Sequence, residues 1–313
     1  MQQTPFDIQR RVVAHKTYES WDTIPHAGIV IELDVTPVKA LIEKLRVMDA
    51  YKDARPTMNS VMLKIIAECM KEAPDMNAHI TYNKRNNTGL MNNLTTIDIA
   101  VPMMSHDHRM ITPVLRDVGG KSLGDVCESM HALKERAENT NIDLLLYEAG
   151  LDDTFKRLRR GQLLYVLRRL WANLVGRHRI SLPPRHERKR YFQRPATERL
   201  IASDLLDASI LVSNLGSVMP ELRCHTALLE IIAPAVVAIA LAGVRRQPVA
   251  QTDATGAEQV VIRSIMPFTF YFDHRALDFA HLTGFIEKLL ALCANPDALL
   301  HADKHTDSSA KAA

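Results

Sequence analysis

The sequence predicts an α/β chain of the two-layer α+β kind, a mixed sheet with helices on one face. Three observations carry this. Strand-like and helix-like runs alternate through the first 140 residues, strand-like runs crowd together after residue 203, and Pro, Gly and Asn punctuate the joints between them. With 313 residues and 47% hydrophobic content, the chain can fill a sizeable core.

Residues 9–20 suit a short helix with Arg10 and Arg11 near its start, broken by Thr23-Ile24-Pro25-His26. A strand over 27–35 follows. Thr36 then caps a helix with Pro37 in its first turn and Val38, Leu41, Ile42 and Leu45 at helical spacing. A second helix covers 58–73, and Pro74 stops it. The run 76–82 reads as a strand leading into an Asn- and Gly-rich hairpin tip at 83–88. Residues 95–102 alternate like a strand, the Pro-interrupted 111–115 suits an edge strand, and a third helix runs over 122–138.

After these elements the composition changes. Between Lys156 and Arg194 thirteen Lys and Arg stand against one acid, Glu187, so this segment carries +12 and the rest of the chain −9, for a net +3. Phe155, Leu158, Leu163, Val166, Leu167, Leu170, Trp171 and Leu174 recur at helical intervals among the basic residues, which predicts a basic amphipathic helix, with 177–190 as a loop-like tail. Beyond it, 208–216 reads as a strand running into a turn and 231–244 as a buried strand. A polar hairpin at 251–258 precedes a strand at 259–265, a second strand at 266–272 and a last helix from 280.

The four cysteines, Cys69, Cys127, Cys224 and Cys293, are scattered without a Cys-x-x-Cys pair, as expected of reduced core residues in a cytosol-like compartment. Residues 1–7 lack the basic start and apolar core of a signal peptide. The longest apolar run, 231–244, contains Pro234 and falls short of the about 20 residues of a membrane span. A cytoplasmic location is the expectation. His106-Asp107-His108 reads as a solvated loop, because two histidines without further ligands do not close a zinc tetrahedron, and no metal is expected.

Chemistry concentrates in Tyr271-Phe272-Asp273-His274-Arg275-Ala276-Leu277-Asp278-Phe279, where a strand delivers a histidine and, four residues on, an aspartate. A neutral imidazole there can take a proton from a thiol or hydroxyl near neutral pH. The alternative is a strand-end histidine beside an aspartate that caps the last helix.

The order of four signatures makes the pattern specific. They are Arg10 with Thr23-Ile24-Pro25-His26 ahead of Glu32-Leu33-Asp34-Val35-Thr36; Lys71-Glu72-Ala73-Pro74-Asp75-Met76-Asn77-Ala78 with Asp98-Ile99-Ala100-Val101 and Ile111-Thr112-Pro113-Val114; Val212-Ser213-Asn214-Leu215-Gly216 with 233–239; and Phe272-Asp273-His274-Arg275-Ala276-Leu277-Asp278. Over residues 5–140 and 203–300 the chain resembles the catalytic domain of the dihydrolipoamide acyltransferases of the 2-oxo acid dehydrogenase complexes, which have the chloramphenicol acetyltransferase-like fold.

The resemblance implies an acyltransferase. His274 matches the family's general base toward the thiol of coenzyme A or of a dihydrolipoyl group, and Ser213 matches the donor to the tetrahedral oxyanion. Asp278 matches a support of the histidine turn, paired with the arginine matching Arg10. By residue type alone, Ser213-Asn214 is also a strand-end turn and Arg10 a solvated charge. The resemblance further implies substrate thioesters of coenzyme A or a lipoyl or other carrier in trans, and a homotrimer or multiple of trimers with sites between subunits.

Three departures stand out. Phe279 occupies the place where the family has glycine, which would alter the turn if backbone freedom or small size is needed there. No lipoyl or subunit-binding domain is legible, so the expectation is a single catalytic-type domain over 1–313. The third departure is a helical insertion near 150–202, whose basic segment 156–194 would pack on the domain with a solvated face, dock an acidic carrier, bind coenzyme A phosphates or meet an anionic membrane. Nucleic acid ranks last, since no accompanying motif is present. The rival to an enzyme is a non-catalytic scaffold that kept the fold.

Overall fold

A computed structural model of the chain describes residues 3–105, 109–159, 163, 164, 167, 171, 183–219, 221, 222, 224, 225, 229–253 and 255–300. Helix α1 (Ile8–Thr23) leads into strand β1 (His26–Asp34), α2 (Thr36–Arg46) and α3 (Met58–Lys71). The hairpin β2 (Ala78–Asn83) and β3 (Thr88–Asn93) is followed by the two-residue strands β4 (Ile99–Ala100), β5 (Met103–Met104), β6 (Met110–Ile111) and β7 (Val114–Leu115). Then come α4 (Leu123–Glu138), α5 (Ile142–Arg159) and α6 (Arg185–Phe192). The C-terminal part holds β8 (Ile210–Asn214), α7 (Leu215–Val218), β9 (Val237–Leu241), β10 (Arg245–Thr252), β11 (Glu258–Asp273) and α8 (Thr283–Ala294).

The main sheet is mixed, in the order β1-β11-β9-β8-β4-β7 with β10 pairing β11. β8 runs parallel to both β9 and β4, and the other pairings are antiparallel. Helices α2, α3 and α8 cover one face. There Phe268 and Phe270 of β11 meet Phe285 of α8 at ring distances of 6.3 and 6.0 Å. On the other face a smaller cluster of Ile24, Ile231 and Ala238 packs with Leu211 and Tyr271. The expected two-layer arrangement is therefore present, and β7, the Pro-interrupted strand, lies at the sheet edge.

Local sequence explains the helix starts. Thr57 with Ser60 and Ser122 with Asp125 form reciprocal capping boxes at the starts of α3 and α4, satisfying amide donors that have no partner in the first turn. Thr36 behaves differently from its expected role. It lies inside α2, with Val35 as the capping residue, and its hydroxyl accepts the Ser264 amide at 2.8 Å, tying α2 to β11.

Four other expectations change. The strand over 95–102 contracts to β4. The run 231–244 holds only the five residues of β9, because proline at 234 has no amide to give a ladder. The two strands expected at 259–265 and 266–272 are one 16-residue strand, β11, whose first half pairs with β10 and whose second half pairs with β1 and β9. Finally, 185–192 is helical, held by a buried Tyr191, with the Arg199 guanidinium 4.9 Å above its ring and 5.5 Å from that of Phe192. The basic amphipathic helix is described only as far as Arg159, and its continuation through 174 lies outside the described residues apart from isolated positions.

Candidate active site

The second half of β11 is buried on both faces and ends at Asp273, a fully buried carboxylate. A buried charge must be paired. Asp273 accepts hydrogen bonds from the Arg275 amide at 3.0 Å and from Arg275 Nε at 2.9 Å, while its own amide donates to the Val236 carbonyl at 2.8 Å. Its carbonyl accepts from the Ala276 and Leu277 amides. Arg275 lies 5.5 Å over the Tyr82 ring of the β2–β3 hairpin. This clamp folds the chain back sharply after the strand. Sequence reasoning missed both residues as positioning groups, although a carboxylate ending a run of buried apolar residues was the available signal.

His274 rides on the outside of that turn, exposed, with its amide bonded to the Pro25 carbonyl at 3.0 Å. Its Nδ1 is 3.0 Å from the Leu277 carbonyl oxygen, and the Phe272 ring meets it edge-on at 5.6 Å. A carbonyl oxygen only accepts, so Nδ1 carries the hydrogen and Nε2 keeps its lone pair. The geometry selects the tautomer that leaves Nε2 an acceptor. The strand partner of Asp273 is His26, whose ring is stacked on Trp21 at 4.6 Å.

Asp278 lies on the same turn. Its Oδ1 accepts the Ala280 amide at 2.9 Å and stands 2.8 Å from His281 Nδ1, capping a short 3-10 turn over Phe279–Leu282. The His281 contact holds its carboxyl below the usual carboxylate range. Among the described residues no ion pair joins Asp278 to Arg10, so the expected partnership is not made within one chain. Asp278 is taken up by the cap. Arg10 also stands far from the turn: the end of α1 adjoins His26 through Ser20, and Arg10 is ten residues earlier, about 15 Å along the helix axis. The start of α1 instead meets the β5–β6 hairpin, where Gln9 donates to the Met110 carbonyl.

Phe279 has no left-handed backbone conformation, so the turn closes without the freedom that glycine would bring. Its ring points outward, 57% exposed, rather than filling the turn.

Ser213 is the penultimate residue of β8, half-buried, and among the described residues nothing hydrogen-bonds its hydroxyl. The strand end is pinned around it. Asn214 donates to Asn59 Oδ1 at 3.2 Å and caps α7 by accepting the Ser217 amide, and a Cβ on Gly216 would sit 2.9 Å from Gly243 Cα. Register fixes where Ser213 lies. Ser213 pairs with Ala240 and Ala240 with Thr269, which places it two strands across from β11 and five residues back from His274. At about 3.3 Å per residue and 4.8 Å per strand, the two side chains belong to backbone positions roughly 19 Å apart in one chain.

A cavity of about 410 Å³ bounded by Asn139, Asn141, Arg190, Tyr191 and Arg194 lies at the junction of α4, α5 and α6, formed by none of the turn's residues. Among the described residues no group of three His, Cys, Asp or Glu side chains is placed to hold a metal, and no helix is long and apolar enough to cross a membrane. His106, Asp107 and His108 lie outside the described residues. Burial pushes the Cys293 thiol up to about 12, and raises Cys69 and Cys127 as well, so these are thiols rather than thiolate nucleophiles.

The mixed sheet covered by helices is a fold this chain shares with solved acyltransferase cores. The cubic core of the pyruvate dehydrogenase multienzyme complex superposes with a TM-score of 0.65 at 19% identity, covering 96% of this chain and 94% of that one. The Azotobacter vinelandii dihydrolipoamide acetyltransferase gives 0.64, again at 19% identity over 96% and 94%.

The family model for 2-oxoacid dehydrogenases acyltransferase (catalytic domain) matches residues 1–145 and 184–301, and the chain belongs to that family. The unmatched stretch, 146–183, overlaps the insertion expected near 150–202. Among curated relatives, the Rhizobium meliloti (strain 1021) dihydrolipoyllysine-residue acetyltransferase component of pyruvate dehydrogenase complex is 25% identical over 150 residues, 47% of this chain and 32% of its own. The Mus musculus pyruvate dehydrogenase protein X component, mitochondrial, is 26% identical over 141 residues, 45% of this chain and 26% of its own. The aligned parts thus span about a quarter to a third of those proteins' length.

Proposed function

We propose that the chain transfers an acyl group between a thioester, of coenzyme A or of a dihydrolipoyl carrier, and a thiol acceptor. The observation that carries this is the His274 imidazole, exposed at the end of a strand with Nδ1 occupied by the Leu277 carbonyl and Nε2 without a partner among the described residues. In this reading Nε2 takes the proton of the incoming thiol, and the thiolate sulfur attacks the thioester carbonyl. The tetrahedral oxyanion accepts a hydrogen bond from the hydroxyl of Ser213. The carbon–sulfur bond to the departing group then breaks, and that thiolate receives the proton from Nε2. Atoms and charge balance without a metal or redox partner.

Because Ser213 and His274 lie roughly 19 Å apart in one chain at about 3.3 Å per residue and 4.8 Å per strand, the oxyanion donor comes from a second copy, and the working unit is an oligomer of the trimer-based kind. In the Azotobacter vinelandii acetyltransferase, crystallographic and enzymatic work has addressed the roles of a serine, a histidine and an asparagine in the catalytic mechanism. The last two stand four residues apart there, the spacing of His274 and Asp278. The exposed Arg185, Lys189 and Arg190 of α6 supply a basic surface for an acidic acyl carrier.

The test is transfer from acyl-coenzyme A donors to dihydrolipoamide by the wild type and by His274→Ala. Loss of a general base should lower kcat by about 10²–10⁴-fold. Full activity in the variant overturns the reading. A chain that shows no transfer and no rise in melting temperature with coenzyme A is a scaffold instead.

A further inference from the structure

Phe279 is the large apolar side chain on the turn that presents His274, and it is left in water. Its neighbours behave otherwise: Leu277 is 2% and Leu282 0% exposed, both built into the core, while Phe279 is 57% exposed and makes no ring contact with any described residue. The turn does not force this. Phe279 opens the 3-10 turn capped by Asp278 and has no left-handed backbone, so a small or polar residue would close the turn equally well.

Position gives the ring a use. The His274 imidazole bonds the Leu277 carbonyl, and Phe279 is two residues beyond Leu277, at most about 7 Å along the chain. A thiol that gives its proton to Nε2 sits about 3 Å from it, and the thioester it attacks brings its acyl chain to the same turn as this aromatic face. The charged partners of the turn are already engaged elsewhere, Asp273 with Arg275 and Asp278 with His281. What the turn still offers a substrate beside the base is apolar area.

We propose that Phe279 is a specificity-determining residue, whose ring packs against the acyl chain of the thioester and favours longer or branched apolar acyl groups over acetyl. This rests on the acyltransferase reading and adds the substrate class to it. A methyl group gains little from one ring, whereas each further methylene removes apolar surface from water.

The experiment compares acetyl-, butyryl- and isovaleryl-coenzyme A as donors for the wild type, Phe279→Gly and Phe279→Leu, with the mass of the assembly measured for each. Binding of the unreactive thioether analogues of the same three acyl groups is measured in parallel. Expected is a fall of about tenfold or more in the ratio of kcat/KM for isovaleryl over acetyl in Phe279→Gly, with most of the ratio kept in Phe279→Leu, and the same order in thioether affinities. A ratio that Phe279→Gly leaves unchanged overturns the proposal, as does a change in the mass of the assembly, which would make the ring a contact between chains. The thioethers separate the two readings. Selective binding that Phe279→Gly abolishes, without turnover in the wild type, upholds the specificity role and removes the acyltransferase one; no binding of any analogue overturns both.

Discussion

A main-chain oxygen, and not a carboxylate, orients the imidazole of His274. The Leu277 carbonyl is held by the turn that Asp273 and Arg275 clamp, so the tautomer is set by backbone geometry. Ser213 is prepared in a different way. Its hydroxyl has no partner among the described residues, and its position is fixed by its neighbours, Asn214 on Asn59 and Gly216 against Gly243. Replacing Ser213 with Ala should therefore leave folding and KM nearly unchanged and lower kcat by about 10²–10³-fold, as expected of one lost oxyanion donor. Steady-state kinetics with an acyl-coenzyme A donor checks this, and a KM effect alone would argue for a substrate contact instead.

Helix α3 shows how an element is held when it carries charge into the core. Lys64, 4% exposed at its side chain, bonds Glu68 one turn on and also the Lys121 carbonyl, and Glu68 takes a second lysine, Lys71. Burial works to raise the Glu68 carboxyl, but the hydrogen bonds from Lys64 and Lys71 outweigh it and leave it below the ordinary 4.5. A depressed carboxylate contributes stability above its unfolded value and loses it as pH falls through the lower folded value. Glu68→Gln should cost about 3 kcal/mol at pH 7, since it leaves the Lys64 charge buried without its counter-ion. In urea melts the gap to wild type should close as pH drops below 4.5. A gap that stays constant would mean that the loss is packing. The joint between α8 and α3 is tighter still. A Cβ at Gly284 would fall 2.6 Å from the Glu72 carbonyl oxygen, so Gly284→Ala should destabilise by about 1–3 kcal/mol in the same assay.

Elements with a strong local code were legible in the sequence. The spacing of Val38, Leu41, Ile42 and Leu45, the stop at Pro74 and the Asn-rich hairpin tip lie where the residues indicate. Elements defined by partners were not. β4 keeps two residues of an alternating run because its ladder ends there, and β11 is continuous because different neighbouring strands take up its two halves. The candidates His274, Asp278 and Ser213 come from motif order, whereas their separation could not be read there, because it depends on register across β8, β9 and β11.

At the scale of the whole molecule that separation has a direct test. If the base and the oxyanion donor belong to different copies, inactive His274→Ala and Ser213→Ala chains refolded together should regain activity, with about a quarter of the sites intact for equal random mixing in a closed ring. Activity of the mixture is compared with each variant refolded alone. A mixture as inactive as its parts would place both groups on one chain.

The stacking of Trp21 on His26 gives this site its own optical signal. The sequence has two tryptophans, and Trp21, 54% exposed, leans on the imidazole paired across the sheet with the residue before His274. With Trp171 replaced by Phe, the remaining indole becomes a single fluorophore stacked on the strand next to the candidate base His274. Arrival of substrate can then be timed by emission in a rapid-mixing instrument, before any bond to sulfur is made or broken.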